Sequence, residues 1–131
     1  MQTGTNTRYI IHEILKALKV RPVSFDKVFF DKVEKNNFSV RDRKMIQNVS
    51  LNAMRYSFFI EKVLFKFAKK INKSSDSYFL LLSAITQLLI LNFKDFAVIN
   101  STVELTKDKR IKASTNFING ILRNINRNKK E

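Results

Sequence analysis

Few residues in this chain have the type and spacing for bond-making chemistry. It has no cysteine, so thiolate nucleophiles, thiolate metal sites and disulfides are excluded. The single histidine, His12, stands next to Glu13 with no second histidine to complete a metal site, and it reads as a surface or rim residue rather than a general base. Asp26, Asp31 and Glu34 recur at helical spacing, but each is followed by a lysine, which describes a solvated helix face and not an acid/base pair. Ser74-Ser75 and Ser101-Thr102 have no base in a recognisable arrangement. The only glycines, Gly4 and Gly120, stand alone, so no glycine-rich loop is available to cradle a phosphate. Neither a catalytic site nor a bound metal or cofactor is expected.

Cations are the abundant chemistry. Lys and Arg number 25 against 11 acids, for a net charge of +14 and a pI near 10.3. A field of that sign favours polyanions, nucleic acid first and anionic membrane second. Arg41-Asp42-Arg43 forms one concentration, with Arg8 expected nearby once the helices pack. Residues 107–131 form another, with eight Lys and Arg, Arg123 among them, against two acids. Arginines at a helix start, where backbone N–H groups are free, suit phosphate. Tyr56 beside Arg55 suits stacking on a base, and Tyr9, Tyr56 and Tyr78 are expected to be half exposed. With Lys16 on the first helix, the candidate RNA contacts are Arg8, Lys16, Arg41, Arg43, Arg55, Tyr56 and Arg123. A second class of reading is an interaction protein or peripheral membrane binder whose basic helix faces meet acidic partners or anionic lipid.

The elements that must position these residues are all helical. Two Gly and one Pro are too few for a strand-and-hairpin protein, whereas 44% apolar residues and twelve Phe supply a core. The most apolar run, Phe79 to Leu91, is apolar nearly all round and predicts a buried central helix. It is shorter than the ~18 continuous apolar residues of a membrane span. Around it, Thr5 or Thr7 opens a first helix bearing Ile10, Ile11, Ile14, Leu15 and Leu18, closed at Arg21-Pro22. Ser24 and Ser39 cap a second and a third helix, with Val28, Val33, Ile46, Val49 and Ala53 inward. A bend near Ser57 starts a fourth, with Phe59, Ile60, Val63, Leu64, Phe67 and Ile71 inward, ending before the loop Asn72–Ser75. Asp95 caps a sixth, with Phe96, Ile99 and Val103 inward. Phe117, Ile118, Ile121, Leu122 and Ile125 mark the last. The expectation is a single domain over residues 1–131, all-α, with about seven helices in two small groups and fraying at residues 1–6 and 127–131. With no secretory signal pattern at the start, a cytoplasmic location is the default.

Several of these segments, in order, resemble the NusB-like RNA-binding family. Its members include a bacterial transcription antitermination factor and the N-terminal domain of a ribosomal RNA cytosine-C5 methyltransferase. Asp95-Phe96-Ala97-Val98-Ile99-Asn100 followed by Val103-Glu104-Leu105-Thr106-Lys107 is similar to the family's AVVNEAVELAK, and Phe117 to Arg123 to its FVNGVLR. Gln87-Leu88-Leu89 resembles the preceding helix, and Arg8 with Leu15 the opening one. Arg41-Asp42-Arg43 with Met54-Arg55-Tyr56 resembles the methyltransferase domain's RDR…VLRW, as does Arg123-Asn124-Ile125 its ending. Lys94 in place of proline, Ile11 in place of alanine and Ser101-Thr102 in place of Glu-Ala depart from the pattern. The resemblance implies a seven-helix bundle of two subdomains that binds RNA without catalysis, through basic N-terminal helices that include Arg8 and the segment around Arg41 and Arg43. It implies as target ribosomal RNA or its leader transcript. As partner it implies a methyltransferase domain or a small ribosomal protein of the antitermination complex.

Overall fold

A computed structural model describes residues 3–20 and 23–129. Seven helices account for the regular structure, and no strand occurs among the described residues. They are α1 (Thr3–Val20), α2 (Phe25–Phe29, continued as a π-helical turn over Phe30–Glu34), α3 (Val40–Arg55), α4 (Ser57–Phe67), α5 (Asp76–Ile85, continued as a π-helical turn over Thr86–Ile90), α6 (Asp95–Leu105) and α7 (Thr115–Asn128). Serine starts four of them. Ser24, Ser39, Ser75 and Ser114 each accept the N–H of the residue three positions on, which satisfies a donor that the helix itself leaves free.

The expected central helix is α5, in which every residue from Tyr78 to Ile85 is buried. It packs against α1, α3, α4, α6 and α7. A helix enclosed on all sides must be apolar on all sides. One continuous core runs from Ile11, Ile14 and Leu15 through Ile46, Val49 and Ala53 to Val98, Ile118 and Leu122. The Asn72–Ser75 loop therefore does not divide the interior. No helix among the described residues is long and apolar enough to cross a membrane.

Several expected orientations are corrected. Helix α1 starts at Thr3, ahead of Thr5 and Thr7, and both threonines are buried within it. Of the segments expected to fray, residues 3–6 and 127–128 are helical, and residues 1–2 and 130–131, like Arg21 and Pro22, lie outside the described residues. Because α3, α5 and α6 all pack on α1, it buries more than its apolar stripe: Arg8, Tyr9 and His12 are inside as well. Phe59 and Phe96 point outward. The buried set of α4 is Ile60 and Leu64, and that of α6 is Val98, Ile99, Thr102 and Leu105, which leaves each Phe off the buried face. Phe117 is half exposed for the same reason. Lys94, not Asp95, occupies the cap position of α6, and Asp95 accepts from Phe96 N–H at 2.8 Å and Asn126 Nδ2 at 2.9 Å.

Candidate nucleic-acid interface

Six of the seven candidate residues are cations, and they separate into those engaged within the fold and those open to solvent. Arg8 belongs to the first kind. It is 8% exposed, and its Nε donates to Gln87 Oε1 at 2.8 Å. Gln87 in turn donates to Ser83 Oγ at 3.0 Å, so the pair ties α1 to the π-helical end of α5. Burial pulls the Arg8 guanidinium down from its ordinary value. Arg8, expected to lie open near Arg41, is buried instead; burial requires polar partners, and Gln87 supplies one.

Lys16 is likewise engaged. Its Nζ lies 3.1 Å from Asp76 Oδ1. Asp76 also accepts Lys112 N–H at 2.8 Å and faces His12 Nε2 at 3.3 Å. Burial pushes the Asp76 carboxyl up, but the bonds from Lys112 and Lys16 outweigh it and the group titrates below its usual range. His12, expected at the surface, is fully buried. The rings of Tyr9, stacked, and Phe79, edge-on, each lie 6.2 Å from it, and its Nδ1 is 3.2 Å from Glu13 Oε2. Burial pushes His12 below its ordinary value, against the pull of Asp76 and Glu13. Tyr9 is buried with Arg110 stacked 3.7 Å over its ring, and Tyr78 is buried with its hydroxyl donating to Glu61. Only Tyr56 of the three tyrosines is open to solvent, at 39%.

Three unpaired cations share α3. Arg41 and Lys44 are exposed at its start, Arg55 is exposed at its end, and none of them joins an ion pair among the described residues. The helical rise separates Arg41 from Arg55 by about 21 Å. Arg43, between them in sequence, is half exposed and spends its charge on Glu34, with its Nη2 at 2.9 and 3.0 Å from the two carboxylate oxygens. Ser39 fixes where α3 begins by accepting Asp42 N–H, and Tyr56 ends it with φ −106° and ψ 20°. Helix α4 follows at once, bridged by Tyr56 N–H to Asn52 O and Ile60 N–H to Tyr56 O.

Arg123 lies apart on α7, exposed, with Nε donating to Asn119 Oδ1 at 3.0 Å. In the last quarter, Arg110 is held by Asp108, whose carboxyl the guanidinium lowers to about 2. The fold therefore brings Arg41, Lys44, Arg55 and Tyr56 onto one element and leaves Arg8, Lys16 and Arg123 elsewhere. Lys44 and Phe58 escape the sequence reading, and Phe59 is assigned there to the core. The signal for the last two was present: three successive apolar residues, Phe58-Phe59-Ile60, span more than one helix face.

The NusB family model matches residues 5–127. A solved structure described as "Crystal Structure of a Plectonemic RNA Supercoil" contains a chain of the same fold, with a TM-score of 0.83. That chain is 20% identical in sequence, and the match covers 97% of this chain and 96% of that one. No curated protein matches.

Proposed function

The chain belongs to the NusB family, and from that premise we propose that it is a non-catalytic RNA-binding domain of ribosomal RNA synthesis or maturation, gripping phosphates along the outer face of α3. The carrying observation is the set Arg41, Lys44 and Arg55, solvated cations that no acid of the described fold neutralises. Free guanidinium and ammonium groups along a helix suit a phosphate backbone, and counterion release supplies the affinity. Arg43 and Arg123 are the reserve, since each is held by a single side chain that a phosphate would outcompete.

Within this reading the nearer likeness is to the rRNA-recognition domain of a cytosine-C5 methyltransferase, on the strength of Arg41-Asp42-Arg43 and Arg55. Fluorescence anisotropy with three labelled RNAs across a salt series tests it. The RNAs are a small-subunit ribosomal hairpin, an antitermination leader element and a scrambled control. Preference for the hairpin is the expected result. Preference for the leader would make the chain an antitermination factor with a small ribosomal protein as partner. Equal affinities with a steep salt slope would reduce the interface to a basic surface without specificity.

A further inference from the structure

Resting on the RNA-binding reading above, we propose that the corner between α3 and α4 is a stacking platform for unpaired bases, with Phe58 and Phe59 as its surface and Arg55 and Lys62 as its phosphate-holding rim. Most large apolar side chains of this protein are in the core. Phe58, however, is 77% exposed and Phe59 47%, and Tyr56, Leu51 and Met54, close in sequence, are open to solvent too. These residues follow one another along the end of α3 and the first turn of α4. Lys62 Nζ stands 5.5 Å from the centroid of the Phe58 ring, and Arg55 and Lys66 are exposed without an ion-pair partner among the described residues. The acid of α4, Glu61, is occupied by the Tyr78 hydroxyl and by Lys73 at 3.6 Å. The corner is thus aromatic and cationic together, with no free carboxylate to quench it.

That pairing selects the occupant. A second copy of the chain would bring the same cations and be repelled. A nucleotide strand offers a π-face and a negative charge at every residue, and base-on-ring stacking tolerates any sequence. A duplex hides its base faces in its own stack, so the strand must be single. The platform extends the row of α3 cations, so that Arg41 and Lys44 hold phosphates of the strand whose bases lie on Phe58 and Phe59.

The chain has no tryptophan, so Phe58→Trp puts a single indole on the platform. The full chain carrying it is titrated with oligouridine of about 12 nucleotides, the same strand annealed to oligoadenosine, inorganic polyphosphate, an acidic Leu/Glu amphipathic peptide, and phosphatidylglycerol vesicles. Saturable quenching by the single strand and by none of the other probes is expected. In parallel, Phe58→Ser with Phe59→Ser should weaken oligouridine binding about tenfold and leave polyphosphate binding unchanged. Both side chains are solvated, and a melting curve verifies the fold. Absent quenching, equal quenching by the duplex, or unaltered oligouridine affinity of the serine pair would overturn the platform. A stronger response to the peptide or the vesicles would do the same. If Arg41→Ala with Lys44→Ala still loses RNA in that case, the RNA-binding reading stands without the platform. A parent protein that binds no RNA sinks both.

Discussion

At the scale of single residues, burial decides which cations serve the fold. Arg8 was singled out from charge and from likeness to a family, neither of which reports whether a side chain meets water. Its bond to Gln87 makes it an internal tie. Arg8→Ala should lower stability by about 2 kcal/mol in a urea melt, the loss expected for a buried hydrogen bond to a charged group. RNA affinity of the folded variant should stay close to that of the parent, because the buried side chain does not reach the outer face of α3. A large loss of affinity at unchanged stability would return Arg8 to the interface. His12 gives a pH prediction. Its folded value lies below the unfolded 6.5, so the unfolded chain binds the extra proton. Stability from this group is therefore complete above that value and declines as the pH falls through it. Asp76 acts in the same direction at lower pH, since its folded value is also depressed. Urea midpoints should fall between pH 7.5 and 5.5, and His12→Gln should flatten that decline; equal slopes for the two proteins would contradict the buried assignment.

At the scale of elements, apolar periodicity was informative wherever one helix met one core. Ser24 and Ser39, the stripe Ile46-Val49-Ala53 and the enclosed α5 all follow from spacing and capping chemistry. What escaped was helix phase after an interruption. The single-residue break at Tyr56 turns Phe59 out of the stripe that continues α3, and a local pattern carries no information about such a reset. The burial of Tyr9, His12 and Tyr78 escaped for a different reason, because it depends on which neighbours cover α1 and α5. The start of α3 offers a direct test of how the site is positioned. Ser39→Ala removes the acceptor for Asp42 N–H and should cost about 1 kcal/mol. It should also loosen the turn that carries Arg41, so RNA affinity should fall even well below the melting temperature. Unchanged amide exchange at Asp42 and Arg43 would show that the cap does not hold this end of the helix.

At the scale of the whole molecule, a net charge of +14 announces a polyanionic partner without giving its place on the surface. Asp76, Glu34, Asp108 and Glu61 each take up a nearby Lys or Arg, whereas Arg41, Lys44 and Arg55 stay unneutralised along the outer face of α3, the place proposed for the partner. The family was legible because its motifs fall on α6 and α7 in order, and the family model spans residues 5–127. The row itself was only half legible. Arg41, Arg55 and Tyr56 were identified, while Lys44, Phe58 and Phe59 needed the packed helices to show which side faces water. The most direct measurement is the salt dependence of RNA affinity for the parent and for Arg41→Ala with Arg55→Ala. The variant should bind less tightly at low salt, and its log–log slope should be shallower by roughly 0.7 for each lost phosphate contact. An unchanged slope and affinity in a variant that melts like the parent would place the RNA on another face of the protein.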